Sequence, residues 1–380
     1  MRKHNCSLLF AFIVTIIILR SLFLSSEIQD TINSSPIDTV IIRHVLPSIS
    51  KLPLVKCIEN DSIQSFPKFN MQTQNMKDFL TYRHCRSFQL LLDSPMKCGG
   101  PNASKDIFLL LAIKSSPANY ERREIIRKTW GEEKTFGHAK VKRIFFIGVS
   151  RAQEDAKWLM QLLAIESQTY GDILQWRFQD TFYNLTLKQV LFLQWQNHRC
   201  PGVQFIFNGD DDVFVHTFNV ITYLQSLENN GSHSHLFVGA LNIGMPPVRE
   251  NKTKYYIPKE LFPGEIFPPY CSGGGILMSG FTSYSILRAS EYIPLFPIDD
   301  AYLGMCLEKA GISPGNHQGM LPYGIRVPGA GMDSFDPCYY QDKLMIHRFV
   351  PHEILILWKT LQITKQHCYT NTMTVSKITD

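Results

Sequence analysis

Three consecutive carboxylates, Asp210, Asp211 and Asp212, close one apolar run, Phe205, Ile206 and Phe207, and open another, Val213, Phe214 and Val215. An apolar run that ends in a polar turn predicts a buried strand whose carboxyl end opens into a cleft, which is where α/β sheets bind ligands. Three like charges at one turn repel unless a cation or solvent offsets them, and oxygen ligands suit Mn²⁺ or Mg²⁺. A solvated acidic turn is the alternative these residues leave open. A second acidic pair, Asp299 and Asp300, follows Phe296-Pro297-Ile298 and precedes apolar residues at helical spacing, Tyr302, Leu303, Cys306, Leu307 and Ala310. Carboxylates there cap a helix's first turn. Two in succession also allow one to cap while the other projects into a cleft as a general base.

Other residues could complete a site. Gly273, Gly274 and Gly275 would let a sugar or diphosphate approach the backbone closely, although a strand kink explains them as well and no phosphate-loop lysine accompanies them. Arg123 and Arg127, four apart on one helical face, suit a diphosphate or simply water. His347 sits among apolar residues at a predicted strand end, where imidazole is either structural or a metal ligand. Gly-x-Ser-x-Gly and His-Glu-x-x-His are both missing, which ranks covalent catalysis low.

The elements that must position these groups alternate in type. Residues 106–113, 143–149 and 204–208 read as buried strands, while 120–130, 152–170 and 185–198 have helical length and spacing. That alternation predicts an α/β fold with a mostly parallel sheet flanked by helices, closed by a last helix over 351–362. Between residues 239 and 275, clusters of Tyr, Pro and Gly predict loops that wall a binding site.

The ends place the protein. Residues 8–24 form an almost wholly apolar run behind Arg2, Lys3 and His4, long enough for a short membrane span. Large residues stand three before any cut near Ser25, so a retained signal-anchor is expected over a cleaved signal peptide. Residues 1–7 would then be a cytosolic tail and everything beyond the span lumenal. Residues 25–94, mixed in Ser, Thr, Asn, Gln and Pro, read as a stem, 95–368 as the catalytic domain and 369–380 as a C-terminal tail. Sequons at Asn33, Asn60, Asn102, Asn184, Asn230 and Asn251 support a glycosylated lumenal body, and one at Asn5 would be inert. Of nine cysteines, all but Cys6 fall beyond the span, an even set suited to an oxidising compartment; no Cys-x-x-Cys occurs. A net charge of +5 without a Lys/Arg block argues against nucleic-acid binding.

Taken in order, these segments resemble the Golgi β-1,3-glycosyltransferases, a GT-A type (Rossmann-like) family. The resemblance rests on Arg-x-x-Ile-Arg-x-Thr-Trp-Gly from Arg123, Asp-x-Phe-Tyr-Asn-Leu-Thr-Leu-Lys from Asp180, the acidic triplet, Lys254-Tyr255-Tyr256-x-Pro258, the glycine wall and Asp299-Asp300-x-x-x-Gly304. Pro-Pro-Tyr-Cys-x-Gly-Gly-Gly, Phe-Pro-Ile-Asp-Asp, Ser-Phe-Asp-Pro-Cys (from Ser334) and His-Arg-Phe look most like the N-acetylglucosaminyltransferases that extend core 1 O-glycans and N-acetyllactosamine chains. Two positions depart from the family pattern: Arg177 replaces an Asp ahead of Phe178, and Ser272 interrupts a run of glycines.

The resemblance implies a Golgi type II membrane enzyme that transfers N-acetylglucosamine from UDP-N-acetylglucosamine, with inversion, to the 3-position of a terminal galactose on a glycoprotein or glycolipid. It implies Asp212 as Mn²⁺ ligand with Asp210 and His347, and a UDP-sugar site drawing on Asp180, Asn184, Lys188, Asp210, Asp211 and the three glycines. Asp300 is expected to be the base and Asp299 its understudy, with Asp212 the indispensable acid of the triplet and Asp211 the most tolerant of change. A β-1,3-galactosyltransferase or N-acetylgalactosaminyltransferase on the same scaffold is the nearest alternative, an inactive lumenal lectin or chaperone a more distant one. Assembly with itself or another transferase stays open.

Overall fold

The computed structural model describes residues 57–150, 153–229, 231, 234–322 and 336–364. The expected anchor at 8–24, the sequons at Asn33 and Asn230 and the C-terminal tail lie outside them. Among the described residues no helix is long and apolar enough to cross a membrane.

The central sheet is built from β1 (Leu90–Leu92), β2 (Leu109–Lys114), β3 (Ala139–Val149), β4 (Ile173–Gln179), β5 (Phe205–Asp210), β7 (Phe237–Gly239), β8 (Gly275–Ser279) and β9 (Gly315–Asn316), in the spatial order β1-β4-β3-β2-β5-β8-β7-β9. A short strand β6 (Val213–Val215) belongs instead to a small sheet with β10 (Met345–His347). Strands β4, β3, β2 and β5 run parallel, joined by α2 (Tyr120–Lys128), α3 (Gln153–Tyr170) and α4 (Leu185–Arg199). The expected elements are therefore present within a few residues of their predicted bounds.

Two strands depart from a parallel sheet: the edge strand β1, antiparallel to β4, and β8, which runs antiparallel to both neighbours, β5 and β7. The short apolar run of β8 after the glycines carries no marker of direction. Every residue of β2 is buried, because Leu110 and Ala112 enter the apolar layer on the α4 side while Leu109, Leu111 and Ile113 enter the opposite one. Burial on both faces explains an apolar run without alternation.

Residues 57–94, which composition assigns to the stem, are folded onto the domain from Cys57 onward. Helix α1 (Gln74–Tyr82) starts at Thr73, whose hydroxyl caps Met76 N–H, and buries Met76, Phe79 and Leu80. A Cys57–Cys85 disulfide closes this segment, and β1 pairs with the edge of β4. A Cys98–Cys200 disulfide ties the start of the domain to the end of α4. Not every member of the even set is paired: among the described residues Cys271 and Cys306 are free thiols, and burial pushes both to about 12, which leaves them inert.

Candidate active site

The site forms where strand ends meet. Strand β5 ends at Asp210, the chain turns through Asp211 and Asp212, and β6 pairs antiparallel with β10 so that His347 stands opposite Val213. That register brings His347 Nε2 to 3.1 Å from Asp212 Oδ1 and 4.0 Å from Asp210 Oδ2. One ligand atom from each of the three residues lies within 4.8 Å of the others. His347 Nδ1 is 3.1 Å from the Pro322 carbonyl, an acceptor, so Nδ1 carries the proton and Nε2 faces the acids. Two carboxylates and an imidazole held by its other nitrogen fit a divalent cation of the Mn²⁺ type.

Burial favours neutral His347, but the hydrogen bond and charge of Asp212 outweigh it and raise the imidazole pKa. Burial likewise opposes ionisation of Asp212, and His347 and Arg122 reverse it, holding that carboxyl below its ordinary value.

The glycines serve this convergence. A Cβ on Gly274, whose φ is +99°, would stand 2.8 Å from His347 Cγ, and one on Gly275 2.7 Å from the Phe207 ring. On Gly273 it would lie 3.1 Å from Asp300 Oδ2. The glycines thus let one strand end approach the histidine and the second acidic pair together.

That pair opens α7 (Asp299–Ala310), following α5 (Thr217–Asn229) and α6 (Gly280–Ser290) in the chain. The N-cap residue, Ile298, makes no side-chain capping hydrogen bond, and both acids stand in the first turn. Asp299 is buried and meets Lys114 Nζ at 2.7 Å, while the same ammonium lies 3.6 Å from Asp210 Oδ1. Burial opposes the charge on Lys114, but Asp299, Asp210 and Asp300 hold it firmly protonated. Asp300, half-buried, is the freer of the two. Burial and the charge of Asp299 push its carboxyl well above the ordinary range, against the pull of Lys114 and a hydrogen bond from Gly273 N–H.

Several expected donor-site residues are committed elsewhere. Arg123 is fully buried and bonds Glu166 through Nε (2.6 Å) and Nη2 (2.8 Å); Arg127 forks onto Asp172 at 2.9 and 2.7 Å. Neither guanidinium is available to a diphosphate, because Glu166 of α3 and Asp172, just ahead of β4, neutralise these α2 arginines. Besides Lys114, a cation beside the acidic triplet is Arg122, 3.9 Å from Asp211 and 4.0 Å from Asp212. Asp180 and Lys188 form a buried pair at 2.6 Å, and Lys188 Nζ also donates to the Ser115 carbonyl at 2.8 Å. Asn184 donates to the Gln179 carbonyl at 2.9 Å at the start of α4, and its sequon partner Thr186 is buried against the Phe296 carbonyl. Of the other described sequons, Asn102 and Asn251 are exposed, while Asn60 caps a short turn at Ser62.

Asp211, expected to be the most tolerant of change, is the buried acid of the triplet. It accepts from Ser115 Oγ at 2.6 Å and Asn119 Nδ2 at 2.9 Å, and burial pushes it up to about 6. Arg123 Nη1 donates to the same Ser115 oxygen at 3.0 Å, so the hydroxyl proton must point at Asp211. Sequence reasoning missed Lys114, Ser115 and Arg122. The one available signal was a lysine ending an otherwise apolar strand.

The galactosyltransferase family profile matches residues 121–318. The chain belongs to the galactosyltransferase family. That match spans β2's successor helix through β9 and includes all of Asp210, Asp211, Asp212, Asp299 and Asp300. Among its relatives is the mouse acetylgalactosaminyl-O-glycosyl-glycoprotein β-1,3-N-acetylglucosaminyltransferase, 45% identical over 93% of the chain and 90% of the relative. The human N-acetyllactosaminide β-1,3-N-acetylglucosaminyltransferase 3 is 43% identical over 97% and 96%. A rat UDP-GlcNAc:betaGal β-1,3-N-acetylglucosaminyltransferase 7 is 41% identical over 82% and 77%.

Proposed function

We propose that this galactosyltransferase-family chain is a β-1,3-N-acetylglucosaminyltransferase, taking UDP-N-acetylglucosamine as donor and a galactose-terminated glycan as acceptor. The observation that carries the reading is the convergence of Asp210, Asp212 and His347 with Asp300 at one cleft, linked through Lys114. The names of relatives 40–47% identical support the donor and the linkage.

Asp300 receives the proton of the acceptor 3-hydroxyl as that oxygen bonds to the anomeric carbon; the bond from that carbon to the UDP oxygen breaks and UDP departs with its electron pair. Attack opposite the leaving group inverts the configuration, as when a carboxylate base activates water in inverting hydrolysis. An elevated carboxyl pKa makes Asp300 a stronger base than an ordinary aspartate. Asp299, tied to Lys114, holds that ammonium at the cleft floor, and Arg122 supplies positive charge on the donor side. Asp210, Asp212 and His347 would hold a Mn²⁺ ion, which when bound neutralises charge on the diphosphate.

In this reading the fold is of GT-A type, and residues 8–24 anchor the enzyme in the Golgi membrane with the domain lumenal. The decisive experiment incubates the protein with a galactose-terminated acceptor and UDP-N-acetylglucosamine, UDP-galactose or UDP-N-acetylgalactosamine in turn. Turnover with the first is expected; turnover only with UDP-galactose would replace the reading by its nearest alternative, and none with any donor would favour a lectin.

A further inference from the structure

Beyond the cleft, at the carboxyl end of β4, lies a cavity of about 640 Å³ enclosed by α1, the strand end and the start of α4. Its wall carries two arginines. Arg83 follows α1 and is half-buried; Arg177, on β4, is exposed. Among the described residues neither guanidinium meets a carboxylate, unlike the buried Arg123, Arg127 and Arg143. Burial and neighbouring Arg86 lower the pKa of Arg83, so its charge is held in unfavourable surroundings without an anion. Asp78, also at the wall, already accepts from Gln74 Nε2 at 2.7 Å.

Aromatic rings complete the lining. Phe79 and Tyr183 pack at 6.3 Å between centroids and Phe88 against Phe178 at 6.0 Å. A mostly apolar hollow with a few convergent polar groups has the makeup of a ligand site, and a guanidinium fork matches the oxygens of a carboxylate or sulfate. The position connects it to the cleft. Gln179 and Thr181 of the wall flank Asp180, which pairs with Lys188, which in turn holds the carbonyl beside Lys114. Strand β4 stands three places from β5 in the sheet, roughly 14 Å from the acidic triplet at ordinary strand spacing.

We propose that this cavity is a subsite for an acidic saccharide, binding a sulfate or carboxylate borne by the acceptor glycan a few sugar units from the galactose being extended, with Arg83 and Arg177 as its anion clamp. The proposal rests on the glycosyltransferase reading and names its substrate class. Arg177, where the resemblance leads one to expect Asp, is the residue that gives the wall its sign.

The test measures kcat/KM with three galactose-terminated oligosaccharides alike except for a sulfate, a carboxylate or neither, at low and high salt. An at least fivefold advantage for one acidic acceptor at low salt is expected, and the preferred anion identifies the source. In Arg177→Asp and Arg83→Gln that ratio should fall towards one, with thermal unfolding as the folding control. Equal kcat/KM for all three, or a preference untouched by both variants, overturns the proposal. Direct binding of the same oligosaccharides, followed by NMR, separates the two readings: acidic binding lost in Arg177→Asp without any turnover would spare the cavity and sink the transferase, while turnover without acidic preference would do the reverse.

Discussion

The ammonium of Lys114 lies 2.7 Å from the Asp299 carboxylate, a buried ion pair between the last residue of β2 and the first of α7. It fastens the helix that carries Asp300 to the strand beside Asp210. Removing one partner of such a pair leaves the other buried and uncompensated, typically about 3–5 kcal/mol of lost stability. Lys114→Met should lower the unfolding free energy by that order, measured by denaturant titration, and Lys114→Met with Asp299→Leu together should recover part of the loss.

The same ammonium tunes the base. Asp300 must be ionised to accept a proton, so activity falls as pH drops through its folded pKa, which lies well above the ordinary carboxylate range. Lys114 lowers that pKa, and its removal should shift the acid limb of the kcat/KM profile to higher pH. A limb that stays in place in Lys114→Met, in protein shown to be folded, would dissociate Asp300 from catalysis.

The two buried arginines and their half-buried neighbour Arg122 should part company. Arg123→Ala is expected to cost about 3–5 kcal/mol of stability by stranding Glu166. Arg122→Ala should leave thermal unfolding within a degree or two, because its ion pairs are long, at 3.9 and 4.0 Å, and such pairs contribute little, and raise the donor KM about tenfold, about 1.4 kcal/mol of lost binding. Steady-state kinetics beside calorimetry checks both.

Within the triplet, Asp212→Asn should abolish Mn²⁺ binding, read by titration calorimetry, with little change in stability. Asp211→Ala should retain the metal site's donors yet lose about 1–3 kcal/mol, since Ser115 Oγ and Asn119 Nδ2 would be left without their acceptor. A stable Asp211→Ala would show that its hydrogen bonds are dispensable.

Replacing Cys98 by Ser opens the disulfide that closes a segment of 102 residues to Cys200. The expected loss is about 2–5 kcal/mol, without any shift in donor preference, since the bridge lies at the far end of α4.

What the sequence made legible was whatever depends on nearest neighbours. Runs such as Leu109, Leu110 and Leu111 declared buried strands, and the acids after Phe207 declared a strand end. What escaped depends on partners far along the chain. Arg123 and Arg127 look like a basic face until Glu166 and Asp172 meet them, and Asp211 looks like the spare acid until Ser115 reaches it. The α1 segment reads as stem because only three of its side chains are deeply buried, and the surface they cover belongs to the domain. The glycines at 273–275 were visible as a motif. Their purpose, room for His347 and Asp300, needed both residues in place.

The antiparallel strand β8 sets the order in which the enzyme can come into being. Its pairing of Gly275 with Gly209 means that a nascent chain ending short of the glycines exposes β5 as a bare edge, with unpaired N–H and C=O groups beside the acidic triplet. Such an intermediate is a template for aggregation, and it lacks Asp300 and His347 as well. Synthesis must therefore deliver the C-terminal part before the N-terminal part is either safe or competent, and any truncation between them yields a strand-seeking fragment in place of a weaker enzyme.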